Sequence, residues 1–351
     1  SLPCLIWIVA LAACGGDDEA VPTDAAEPDA APLVDAGIDA GFVPPTLLSE
    51  TGLYSDLGNR IIAAGVLEYA PRWELWSDDA AKRRWIALPP GTQIDSADMD
   101  HWSFPVGTKL WKEFRRGGRL IETRLLQKIG PSNDWADWFA VSFQWNAGET
   151  EAMAVPGGVI DEAGHDDIPA RSDCRKCHVN TRVPSVIIGF SALQLDTPPP
   201  GSGFATLQTL VDGDLLTVDP PAPVTAGGPS FPLPAGDVAR DALGYLHANC
   251  GNCHNAASDV QPTVTLQLRL TTGALGSWAT TAPYLSTVGV TPELTTVGAT
   301  ALVAPGSHTA SAVWLRLNAV LGSGISVMPP VGRETADPTG ADLVRLWIQS
   351  L

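Results

Sequence analysis

Two pentapeptides, Cys174-Arg175-Lys176-Cys177-His178 and Cys250-Gly251-Asn252-Cys253-His254, repeat one pattern in a chain of 351 residues that has only six cysteines. No other feature constrains the local fold as much. Two thiols three residues apart lie on one side of a helical turn, and the His that follows is carried with them. This is the attachment signature of c-type haem, in which both thiols bond one porphyrin and the imidazole ligates its iron. On this reading Cys174, Cys177, Cys250 and Cys253 attach two haem c groups covalently, with His178 and His254 as the proximal iron ligands. Two other readings stand beside it. Four thiolates could hold one zinc ion, although the stretch from Cys177 to Cys250 is far longer than zinc ribbons use and the two His residues then go unexplained. Each pair could also close a short disulfide in an oxidising compartment.

Residues 2–13 form one apolar run, too short to span a bilayer and of the length of a signal-peptide core. The run closes on Leu11-Ala12-Ala13-Cys14-Gly15, which resembles the lipobox of bacterial lipoproteins. The resemblance implies that residues 1–14 are a signal peptide with a lipidated Cys14, the membrane being reached through that anchor. A secretory peptide cleaved without lipid is the alternative. Residues 15–45 are rich in Ala, Asp and Pro and carry no Lys or Arg, the composition of a disordered spacer. The expected location is the bacterial cell envelope, facing the periplasm. A net charge of −18 argues against nucleic acid or an anionic membrane surface as partner.

Residues 46–195 read as antiparallel β. Lys109–Phe114, Gly117-Gly118 and Arg119–Leu126 make a hairpin with a glycine turn. Trp138–Trp145 alternates so that Phe139, Val141, Phe143 and Trp145 share a face, and a turn then leads into residues 150–155. Eight of the twelve tryptophans fall between Trp73 and Trp145, as core filling for a sheet or as a wall around a porphyrin.

The run from Leu75 to Gly91, with Phe104-Pro-Val-Gly-Thr108, Arg119-Leu-Ile-Glu-Thr-Arg124 and Tyr245-Leu-His-Ala-Asn-Cys250, resembles an uncharacterised family of exported dihaem c-type cytochromes. Phe104–Lys112 is also similar to strands of β-sheet cytochromes of the c′-β kind. Those place their Cys-x-x-Cys-His after the sheet and can leave the iron five-coordinate. The sixth ligand of the first haem stays open between His101, Met153, His165 and no protein ligand.

Residues 196–236 are Pro- and Gly-rich and read as an extended linker with one short helix over 204–211. Residues 237–351 resemble a class I cytochrome c. Asp237 is the expected N-cap of a helix that leads into Cys250. The resemblance makes Gly244-Tyr245 its point of close approach to another helix. Ala341–Ile348 is the closing helix, packing through Leu343, Leu346 and Trp347. Met328, before Pro329-Pro330, is the implied distal ligand of the second haem. His247 is expected to be structural and His308 a surface or capping residue. Residues 259–300 read as an insertion with β-hairpin character.

The expected architecture is multidomain α+β: a β-rich haem domain followed by a mainly α class I cytochrome c domain. The expected function is a membrane-anchored dihaem electron-transfer protein, working with a redox partner protein or a small electron donor or acceptor. A haem enzyme with an open first iron, of peroxidase-like or nitrogen-oxide chemistry, is the alternative. A haem-based binding or sensor module is a third. Dihaem peroxidases share the two-haem logic, but their domains are both helical.

Overall fold

The computed structural model describes residues 41–161, 167–179, 185–197, 203–223, 225, 227–261, 263–320 and 322–351. Cys14, nearly all of the spacer and His165 lie outside these residues.

A small hairpin, β1 (Tyr54–Asp56) and β2 (Ile61–Ile62), precedes the main sheet. That sheet has six antiparallel strands in sequence order: β3 (Leu67–Tyr69), β4 (Ala81–Ala87), β5 (Lys109–Arg116), β6 (Arg119–Lys128), β7 (Trp138–Trp145) and β8 (Ala152–Ala154). The β5–β6 turn uses Gly117 and Gly118, both at positive φ, as the hairpin reading requires. Period-two alternation divides the sheet into two unlike faces. One carries Trp85, Trp111, Leu125, Val141 and Phe143, which pack with Leu48 and Leu53 of the preceding segment into a closed apolar core. The other carries Ile86, Leu110 and Leu126 at one end and a band of charged residues beside them.

Helix α1 (Arg171–His178) follows the sheet. Short helices α2 (Ala192–Leu195) and α3 (Leu207–Asp212) come next. The described part of residues 196–236 carries α3 and is packed against the rest of the fold. Leu207, Leu210 and Leu216 are buried. The amide of Ala205 donates to the carbonyl of Glu68 at 2.7 Å, and Ile94 N–H donates to Leu215 O at 2.8 Å. One apolar cluster runs from Tyr69, Trp102 and Phe190 through Leu216 to Leu246 and Trp347, so packing is continuous across the expected linker.

The remaining helices are α4 (Asp237–Asn249), α5 (Ala282–Leu285), α6 (Ala312–Asn318) and α7 (Pro338–Ser350). Here the structure corrects four details. Asp237 is the first residue of α4, with Gly236 before it, and its carboxylate pairs with Arg240 at 2.6 Å instead of capping. Trp347 is buried on α7, but Leu346 is 41% exposed, and Val344 and Ile348 fill the interior instead. Their spacing with Ala341 follows the 3.6-residue period more closely than Leu343–Leu346 does. The group that comes closest to Gly244 is an indole and not a helix backbone. A Cβ there would collide with the indole of Trp73, while the ring of Tyr245 lies against Gly340 of α7. Finally, the described part of residues 259–300 contains turns and α5 but no strand. Its Leu266, Leu268, Leu270 and Trp278 are buried.

Candidate functional site

Both Cys-x-x-Cys-His motifs open onto one cavity of about 1120 Å³. Cys174, Cys177 and His178 line it from α1, and Cys253, His254 and Met328 from the second half. The floor is the charged face of the sheet.

The first motif is helical because residues 171–178 contain neither Gly nor Pro. The carboxylate of Asp173 accepts from the N–H of Ala170 at 3.0 Å, closing the first turn. Cys174 and His178 are four residues apart and share a helix face. The Nδ1–H of His178 donates to the carbonyl of Val186 at 2.8 Å. Burial lowers its pKa to about 4, so the ring is neutral near pH 7. With the Nδ1 proton committed, Nε2 carries the free lone pair in a residue that lines the cavity. This is how a ligating imidazole is oriented and its tautomer set.

The second motif begins as α4 ends. Cys250 N–H donates to Leu246 O at 2.9 Å, and His254 N–H to Cys250 O at 2.9 Å, keeping the pentapeptide in a tight turn. Cys250, His254 and Met328 line a second, small pocket of about 70 Å³ with Leu246, Leu266 and Leu317. Residues 264–268 of the expected insertion therefore form its wall. Met328 is held through its backbone N–H, which donates to Arg316 O at 3.0 Å. His254 and the Met328 thioether are thus brought to one apolar site from residues far apart in sequence.

None of the four cysteines is in a disulfide. The two pairs do not converge, since among the described residues no three His, Cys, Asp or Glu side chains are grouped to hold a metal ion. Burial raises the Cys174 thiol and pushes that of Cys250 up to about 12, so both are neutral thiols near pH 7. A haem c group fits these residues. Each motif offers two thiols and a His, His178 keeps a ring nitrogen free, and His254 shares an apolar pocket with a thioether.

Of the other His residues described, His247 also lines the cavity, whereas His101 and His308, like Met153, do not. His101 is at the surface, its Nδ1 2.9 Å from Asp98, and does not line the cavity. Met153 is 64% exposed on edge strand β8. Neither is positioned to serve the first motif. His247 is buried, and its Nδ1 accepts from Leu270 N–H at 3.0 Å, a structural role. His308 stacks edge-on against Trp314, 4.6 Å between centroids.

Several cavity residues escaped sequence reasoning. Val186 acts only through its carbonyl, which no motif marks. Asn249 bridges the two halves: its Oδ1 accepts from Trp76 N–H at 2.7 Å, and its Nδ2 donates to Glu74 O at 3.1 Å and Tyr245 O at 3.0 Å. Asp78 accepts from the backbone of Glu334 and Thr335. Both lie inside the motifs that carried the family resemblance.

No protein-family model, curated protein or solved structure matches the chain.

Proposed function

We propose that the chain is a dihaem c-type cytochrome of the bacterial cell envelope, an electron-transfer protein anchored through Cys14. The observation that carries this reading is that two Cys-x-x-Cys-His motifs, distant in sequence, face one cavity, with His178 held by Val186 in the tautomer that leaves Nε2 free. When bound, haem c supplies a one-electron couple whose potential follows its axial ligands. Cys174 and Cys177 would attach one group and His178 would be its proximal ligand. Cys250 and Cys253 would attach the other, between His254 and Met328. The β-rich part and the helical part would be its haem-bearing halves, the second of class I cytochrome c type. Both motifs line one cavity, which supports electron exchange between the two groups when both are bound.

A second reading has its own support. Of the three side chains considered as sixth ligand of the first haem, His101 and Met153 stand away from the cavity. This favours an open coordination position and a small-molecule chemistry there, with the second haem as relay. The test is the visible spectrum of reduced protein, matured by a c-type haem attachment system, before and after carbon monoxide. Two low-spin haems unmoved by the gas fit the carrier. One haem that shifts fits the open site. Absence of covalent haem defeats both.

A further inference from the structure

The cavity face of the sheet holds an arrangement that the haem motifs do not account for. Antiparallel register sets Arg84 opposite Lys112, and Lys112 opposite Arg124. Three cations thus stand in one cross-strand row on β4, β5 and β6. All three line the cavity. Side chains directly opposite on one face are about 5 Å apart at Cβ, and like charges there repel. Lys82, one position along the face from Arg84, adds a fourth cation.

Among the described residues two carboxylates form ion pairs with these four charges. Glu74 lies 3.5 Å from Lys82 and 3.4 Å from Arg84 and is half exposed, and Glu122 pairs with Arg124. The Lys112 ammonium forms no ion pair or hydrogen bond among the described residues; it rests 4.8 Å above the Phe114 ring, which Arg124 also covers at 4.3 Å. The ring's negative face eases the repulsion without cancelling it. Burial, with Arg84 and Arg124 alongside, lowers the Lys112 pKa well below the ordinary lysine value. Glu74 and Glu122 thus serve the two arginines, and Lys112 between them is left without a carboxylate of its own, on a face that opens to the cavity.

We infer that Arg84, Lys112 and Arg124 form a binding site for one small planar anion, a carboxylate or an oxyanion, next to the first Cys-x-x-Cys-His motif. The anion has two sources: a free molecule that enters the cavity, or a carboxylate of the group attached at Cys174 and Cys177. The second source rests on the cytochrome reading, and the first does not. Arg84, engaged only through one Nη1 bond to Glu74, keeps guanidinium N–H groups for in-plane oxygens, and Lys112 adds a point charge beside it. Arg124, whose Nε and Nη2 already donate to Glu122, adds its charge and Nη1.

The test uses the full-length protein matured with a haem attachment system. Covalent haem is quantified first, so failure of the cytochrome reading shows at once. Nitrite and formate are then titrated calorimetrically into wild type, Lys112→Gln and Arg119→Gln, the last removing a charge from the exposed hairpin end. Arg84→Gln is a second removal from the row should Lys112→Gln not fold. A free anion is shown by saturable uptake of one equivalent, weakened about tenfold by Lys112→Gln and unchanged by Arg119→Gln. An attached carboxylate is shown by no uptake, together with a lowered reduction potential of one haem in Lys112→Gln only. No uptake and unmoved potentials in the row variants overturn the inference. If no haem is attached, absence of uptake alone overturns it.

Discussion

Asp78 and Thr335 are joined by two hydrogen bonds of 2.8 Å, from the backbone N–H and the Oγ1 hydroxyl of Thr335 to Oδ1 of Asp78. The carboxylate also accepts from Glu334 N–H at 3.0 Å. Through these bonds the segment before β4 fastens the loop that carries Met328. Asp78 sits at φ 47°, a left-handed backbone that Asp and Asn tolerate better than most residues. Asp78→Ala is expected to lower stability by about 1–2 kcal/mol from lost charge-assisted bonds and the strained φ, with Asp78→Asn closer to wild type. Urea denaturation measures the difference. In haem-loaded protein the sulfur-to-iron charge-transfer band should weaken in Asp78→Ala before any change in covalent haem content.

Trp73 occupies the space that a side chain at Gly244 would need. Trp73 also stands edge-on to His247, 5.7 Å between ring centroids. Gly244→Ala therefore displaces the indole, even though alanine favours a helix interior. Overpacking typically costs about 1–3 kcal/mol, more than the roughly 1 kcal/mol gained in helix propensity. The expected result is a net loss in thermal stability and a change in tryptophan emission. An unchanged or raised melting temperature would show that Trp73 is not packed there.

These two contacts show where sequence reasoning reaches and where it stops. The β5–β6 hairpin, β7 and α7 were legible because their apolar periods and turn residues are local. The two Cys-x-x-Cys-His motifs were legible for the same reason, being five residues long. Arg84, Lys112 and Arg124 were not, because they lie on three strands and only pairing register sets them in a row. Val186 contributes a carbonyl that any residue possesses. Residues 259–300 misled because β-branched composition there serves buried turns, not strands. Asp237 carried a capping residue type, but Arg240 one turn on claimed its carboxylate.

His247, with His178, is expected to make the fold sensitive to acid. Burial, with the Arg269 charge second, lowers the His247 pKa to about 3, below the unfolded value near 6.5. A depressed His favours the neutral form in the folded state. The unfolded chain then takes up the proton first, and stability falls as pH drops below about 6.5 and continues to fall towards about 3. The slope attributable to one such group is about 1.4 kcal/mol per pH unit. Urea midpoints at pH 7 and pH 5 should differ accordingly, and His247→Gln should flatten the dependence while lowering stability at pH 7. Equal slopes in both proteins would assign the acid sensitivity to other groups.

Met328 offers the sharpest separation of the two candidate haem sites, because it lines with His254 and Cys250 a small pocket that His178, held by Val186, does not share. Cys250→Ala/Cys253→Ala is expected to halve covalent haem and leave the first site loaded. Met328→Ala should retain both haems, since the thioether bonds do not depend on the distal ligand, but lower the potential of one, as loss of thioether ligation does. That same haem should become able to bind carbon monoxide. Potentiometric titration with and without the gas reads both effects. Should the potential stay unmoved in Met328→Ala, the thioether is a packing residue, and the ligand opposite His254 must come from another side chain.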